Sequence, residues 1–156
     1  MDNLDPLRGL MDEAKTDFAA GTYAAVWLNA DSAAALYKHY RQFVDSENLE
    51  AAKDFHITTT YSKMPVDIPL TKISPFTLNP DYFEHEAFGD LLVLRVKHKK
   101  LDELWNMACA LGASWDYPTY KPHITISQKR LLIDRPPPVP DFPLVVSRYK
   151  VEPLND

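Results

Sequence analysis

His56-Ile57-Thr58 and His123-Ile124-Thr125 repeat one short pattern within a chain of 156 residues. Imidazole titrates near neutral pH, so one neutral histidine can take a proton while a second, protonated one gives a proton. A threonine hydroxyl can donate a hydrogen bond to an oxygen on which charge is building, such as a non-bridging phosphate oxygen. Both triplets lie in apolar, β-branched surroundings, Phe55 to Tyr61 and His123 to Ser127, which favour strands. In a strand, residues i and i+2 share a face about 6–7 Å apart, and i+1 points the other way. Each His therefore shares a face with its Thr, while Ile57 and Ile124 turn to a core. Thr60 and Ser127 are expected to extend the two polar faces by one position. Two such strands side by side would aim two imidazoles and two hydroxyls into one cleft.

The chemistries that the sequence does not support narrow the choice. No nucleophilic Ser, Cys or Lys motif stands out, so the attacking oxygen is not expected from the protein. There is no H-E-x-x-H, cysteine cluster or carboxylate cluster, and a zinc site from His56 and His123 would lack a third ligand. No metal and no cofactor are expected. Only 4 glycines occur, and no glycine-rich phosphate loop. The net charge of −5 argues against binding long nucleic acid, though a small phosphate ligand near Lys63, Lys121, Lys129 or Arg130 is compatible with it. No run of about 18 apolar residues is present, so no membrane span is expected. Asp2, Asp5, Asp12 and Glu13 replace the basic start of a signal peptide. The single Cys109 reads as a small helical core residue, and a cytoplasmic location is expected.

The elements that must position the two triplets can be read in order. Leu4, Leu7, Leu10, Met11, Ala14 and Phe18 predict an N-terminal helix over 3–19, and Gly21 breaks it. Thr22 to Leu28 predicts a strand. Asp31 or Ser32 is expected to cap a helix with core face Leu36, Tyr40, Phe43 and Val44. His39 on that helix reads as a surface or packing residue. After the first triplet, Pro65 and Pro69 mark a loop. Residues 72–84 predict one or two strands with a turn at Asn79-Pro80-Asp81. His85 reads as part of a solvated turn. Leu91 to Val96 predicts a strand, Lys97 to Lys100 a solvated basic turn, and 101–111 a helix ending at Gly112. The stretch 113–121 is aromatic, with Trp115, Tyr117 and Tyr120, and Pro122 leads into the second triplet. Prolines in 136–143 make a stiff surface connection to a last strand over 144–151. No domain boundary is seen over 1–156. Val26 precedes His56 by the same interval as Val93 precedes His123, which suggests a duplicated strand–helix–strand unit.

Two H-x-T patterns on duplicated strand–helix–strand units resemble the 2H phosphoesterase superfamily over roughly 21–151. The resemblance implies an α+β fold of two pseudo-symmetric lobes, with antiparallel sheets around a central cleft and helices outside. It also implies catalytic roles for His56, Thr58, His123 and Thr125. The start Gly21-Thr22-Tyr23, the run Tyr120-Lys121-Pro122-His123-Ile124-Thr125 and the ending Val151-Glu152-Pro153-Leu154 are similar to the phage anti-CBASS cyclic-nucleotide phosphodiesterases. That likeness implies cleavage of cyclic di- or trinucleotides, with Tyr23 stacking on a base and Glu152 contacting base or sugar. Tyr120 joins the expected substrate-binding residues by its place beside the second triplet. The added N-terminal helix departs from that family's pattern. A 2H enzyme that opens 2′,3′-cyclic phosphates at RNA ends is the alternative, as is a binding module that sequesters a cyclic nucleotide.

Overall fold

The computed structural model describes residues 20–129 and 137–154. The helix expected over 3–19, Arg130 and Pro136 lie outside the described residues. Seven strands are described: β1 (Thr22–Leu28), β2 (His56–Ser62), β3 (Phe76–Leu78), β4 (Glu84–Phe88), β5 (Leu91–Arg95), β6 (His123–Ser127) and β7 (Leu144–Pro153). Helix α1 (Ala30–Tyr40) joins β1 to β2, and α2 (Lys99–Ala110) joins β5 to β6. The strands form one antiparallel sheet in the order β3-β7-β1-β2-β6-β5-β4. The two strand–helix–strand units thus meet at the sheet's centre, where β2 and β6 are neighbours.

The sheet must curl. Laid flat, its edges β3 and β4 would stand about 29 Å apart at the usual spacing between strands. Yet only residues 79–83 connect those edges, a segment that spans about 20 Å when extended, and it contains a short 3₁₀ turn over Pro80–Tyr82. The edges therefore approach each other, giving a half-barrel. Its core joins Leu36 and Tyr40 of α1 and Leu101, Leu104 and Ala108 of α2 to Val26, Ile57, Leu94, Ile124 and Ile126 of the strands.

Local chemistry explains where the elements depart from expectation. Asn29 caps α1, its side chain accepting from the Ser32 amide at 2.8 Å, in place of Asp31 or Ser32. The Ser32 hydroxyl accepts instead from the Val145 amide, tying α1 to β7. Because α1 stops at Tyr40, Phe43 lies beyond it and is exposed, whereas Val44 stays buried. His98 caps α2 with Nδ1 accepting from the Lys100 amide, so Lys99 and Lys100 begin a helix rather than a turn. His85 is not in a solvated turn. It lies on β4, and the Tyr40 hydroxyl bonds its Nε2 at 2.6 Å. Gly89, at φ +60°, and Asp90 close a two-residue hairpin that sets the β4–β5 register through Phe88 and Leu91. Gly21 has a different reason: a Cβ there would lie 1.9 Å from the Ser62 carbonyl oxygen.

Candidate active site

The central strand pair brings the two triplets together. Ile57 and Ile124 are Cα partners in the antiparallel β2–β6 pair, and both are fully buried. Carried one residue either way, that register sets His56 across from Thr125 and Thr58 across from His123. All four are half-buried, on the face opposite the two isoleucines.

Each triplet is followed by a β-bulge. On β2, Thr58 pairs with Ala25 and Thr60 with Ala24, leaving Thr59 as the extra residue. On β6, Thr125 pairs with Val93 and Ser127 with Leu92, leaving Ile126. A bulge inverts the alternation of faces beyond it. Thr60 and Ser127 are therefore buried and do not extend the polar faces, and on β2 it is Tyr61 that is exposed. The two units are also one residue out of step: Val26 faces Ile57, but Val93 faces Thr125.

The two imidazoles are held alike. His56 Nδ1 lies 2.6 Å from the carbonyl oxygen of Asp54, and His123 Nδ1 lies 2.8 Å from that of Lys121. A carbonyl only accepts, so each Nδ1 carries the proton and each Nε2 is left for the cleft. Their surroundings differ. His56 stacks on Trp27 at 5.5 Å between centroids, and Arg148 lies 5.0 Å over the same indole. The three form a row across β2, β1 and β7, since Trp27 pairs with both His56 and Arg148. His123 meets the edge of Phe88 at 4.5 Å and pairs across β5 with Arg95. Arg95 Nη1 donates to Glu86 Oε1 at 2.7 Å, and Lys121 Nζ lies 3.8 Å from Glu86 Oε2. Burial pushes the His123 pKa below its usual 6.5. The Lys121 carbonyl opposes that shift, and the Arg95 and His56 charges add to it.

Tyr23 lies on the cleft face of β1. Its hydroxyl is 3.0 Å from Thr58 Oγ1, and burial raises its pKa, so the phenol stays protonated. Glu152 falls within β7, which runs past 151, and is the register partner of Tyr23. It also pairs with Lys150 at 3.3 Å. The Tyr120 hydroxyl donates to the Thr58 backbone oxygen at 2.7 Å, and its ring stacks flat on Trp105 at 5.5 Å. Lys63 pairs with Asp116 at 3.6 Å. Trp27, Arg148, Phe88, Arg95 and Glu86 were not singled out in the sequence. Strand alternation around the Gly89-Asp90 hairpin is the signal that would have placed Glu86 and Phe88 on the histidine face.

Beside Thr58 and His123 opens a cleft of about 920 Å³ that Tyr61, Phe88, Trp115 and Tyr117 also line. Among the described residues, no group of three His, Cys, Asp or Glu side chains is arranged to hold a metal ion. No helix of the described residues is long and apolar enough to cross a membrane.

A curled antiparallel sheet with outer helices and two H-x-T triplets on its central strands defines the 2H phosphoesterase fold class. Among solved structures, the chain is similar to Escherichia coli LigT complexed with 3′-AMP, with a TM-score of 0.59 and 18% identity over 87% of this chain and 95% of that one. A second structure, described as a phosphoesterase, aligns with a TM-score of 0.59 and 16% identity over 86% of this chain and 88% of its own. Residues 20–156 match the family described as anti-CBASS protein Acb1, and the chain belongs to that family. It is 33% identical to the anti-CBASS protein Acb1 of Acinetobacter phage Ac42 over 115 residues, 72% of this chain and 75% of that protein. The corresponding protein of Escherichia phage RB16 is 27% identical over 123 residues, 78% of this chain and 70% of its own.

Proposed function

We propose that the chain is a metal-independent phosphodiesterase that opens 3′–5′ linkages in cyclic di- or trinucleotide signals, and so disables CBASS antiphage defence in the cytoplasm of an infected host. The observation that carries this reading is the matched tethering of the two histidines. Each has Nδ1 held by the carbonyl two residues earlier, Nε2 left for the cleft, and a threonine of the other triplet across from it. Sequestration alone would need neither an acid nor a base. The two halves of the sheet are read as the paired lobes of one cleft.

His123 is the base in this reading, because burial and the Arg95 charge favour its neutral form. Its Nε2 takes the proton of the ribose 2′-hydroxyl. That oxygen attacks the adjacent phosphorus, the 2′-O–P bond forms and the P–O5′ bond breaks. His56 Nε2 gives its proton to the departing 5′-oxygen. The products are a 2′,3′-cyclic phosphate end and a free 5′-hydroxyl. Thr58 and Thr125 donate to the non-bridging oxygens as charge builds. The protonated Tyr23 phenol donates to Thr58 Oγ1, which frees the threonine proton for the phosphate. Tyr23 also stacks on a base, Glu152 contacts that base or its sugar, and Tyr120 supports the site by fixing the Thr58 backbone. The test is incubation with cyclic di- and trinucleotides and 2′,3′-cyclic mononucleotides, with the products resolved by mass spectrometry. Opening of the cyclic oligonucleotides is expected. Activity confined to the mononucleotides would transfer the reading to RNA-end chemistry.

A further inference from the structure

The described strands carry three cationic side chains: Arg95 on β5, and Arg148 and Lys150 on β7. Two of them are paired. Arg95 Nη1 lies 2.7 Å from Glu86, and Lys150 lies 3.3 Å from Glu152. Beside the strands, Lys63 faces Asp116 and Lys121 faces the second oxygen of Glu86. Arg148 differs from all of these. It is exposed, and among the described residues it has no carboxylate at ion-pair distance.

Arg148 is nevertheless held in a definite place. Trp27 pairs with Arg148 across β1 and β7 and with His56 across β1 and β2, so the three stand in one row on the histidine face. The guanidinium lies 5.0 Å over the indole, a contact favoured by the charge distribution of the ring. A guanidinium keeps all five N–H donors in its own plane, so contact with an aromatic face leaves them for another partner. The natural partner is a phosphate, which takes two parallel N–H bonds from the fork. In a chain of net charge −5, whose other strand cations already face carboxylates, an anion meets an uncommitted strand cation at Arg148.

That phosphate is not the one between the histidines. Arg148 stands two strand spacings from His56, about 10 Å, on the side away from His123. A cyclic di- or trinucleotide carries at least one further phosphate in its ring. We infer that Arg148 binds a ring phosphate other than the one that is opened, with Trp27 as the positioning residue that holds the guanidinium in line. The inference rests on the proposed cyclic-nucleotide activity and adds a reason for substrate class: a ring with two or more phosphates gains a contact that a 2′,3′-cyclic mononucleotide has no group to make.

The test is steady-state cleavage by the full chain of two cyclic di-AMP analogues. Each has one ribose and one 2′-deoxyribose, so only the phosphate on the ribose 3′-oxygen can open by attack of a 2′-hydroxyl. In the first analogue the other linkage is a phosphate, and in the second it is a neutral methylphosphonate. A charge-assisted contact at an exposed site is worth about 10-fold. Arg148→Gln is expected to lower kcat/KM on the first ring by about that factor through KM, with kcat kept. On the second ring it is expected to match wild type, because the charge it would meet is already gone. Equal kcat/KM of wild type and Arg148→Gln on the first ring would overturn the phosphate contact and leave the proposed activity standing. So would an equal loss on both rings, which would make Arg148 a structural support of the site. Failure of wild type to open the first ring would overturn the activity and the phosphate contact together.

Discussion

The two halves of the site share a backbone and differ in what surrounds it. In each, a histidine donates an Nδ1–H hydrogen bond to the carbonyl two residues before it, a threonine follows, and a bulge comes next. Around His56 the neighbours are an indole and, beyond it, a guanidinium. Around His123 they are a phenyl edge and an Arg95–Glu86 ion pair. The backbone fixes which nitrogen faces the cleft, and at His123 burial and the Arg95 charge favour the neutral imidazole. In the proposed mechanism the two matching halves supply the two proton-transfer groups. Only their unequal surroundings can make one the acid and the other the base.

The comparison can be broken most directly by removing either imidazole. A placed acid or base is worth about 10²–10⁴ in rate. His56→Ala and His123→Ala should each lose at least about a hundredfold in kcat while keeping the wild-type circular dichroism spectrum. Thr58→Ala and Thr125→Ala should lose about 10–10³. Near-wild-type turnover by either histidine variant would remove the acid–base assignment.

Tyr23 exists in only one half, and its two contacts separate in two variants. Tyr23→Ala should raise the dissociation constant for a cyclic dinucleotide by about 5–150-fold through lost stacking. Tyr23→Phe should keep the affinity and lower kcat, because Thr58 loses the hydroxyl partner that donates to it in the proposed mechanism. Titration calorimetry with single-turnover kinetics checks both.

A smaller effect tests the proton affinity of His123. If His123 is the base, kcat/KM falls as pH drops through its pKa, which lies below 6.5. Arg95→Gln removes a cation that holds that pKa down, so the acid limb should move to higher pH, by less than about one unit. A limb that stays in place or moves down would take His123 out of the base role. Smallest of all is the expected effect of chelation. Activity should survive exhaustive EDTA treatment, and loss with recovery on adding Zn²⁺ or Mn²⁺ would contradict metal independence.

Much of this was legible because strand periodicity is simple. The alternation in His-Ile-Thr placed the imidazoles and hydroxyls on one face and the isoleucines in the core, as the structure has them. The alternation failed one step later, at Thr60 and Ser127, because nothing in either triplet marks a bulge. The histidine environments were hidden for a different reason. Trp27, Arg148, Phe88 and Arg95 reach them through pairing across strands, and register is a property of the assembled sheet. His85 reads as solvated between Glu84 and Glu86. Its partner Tyr40 comes from a helix far away in the chain. Glu152 and Tyr23 came from resemblance, and the sheet then paired them as direct neighbours.

The central claim is that the substrate supplies its own nucleophile, with the two histidines only moving protons. Tethering of a neighbouring hydroxyl replaces much of the entropic cost of bringing in a water molecule. Cleavage of a 2′-deoxy or 2′-fluoro cyclic dinucleotide in H₂¹⁸O, with the products weighed, tests it most directly. The analogue is expected to bind and stay closed, while the parent ring opens to a 2′,3′-cyclic phosphate without ¹⁸O. Rapid opening of the analogue with one ¹⁸O on the new phosphate would mean direct attack by water and would contradict the mechanism.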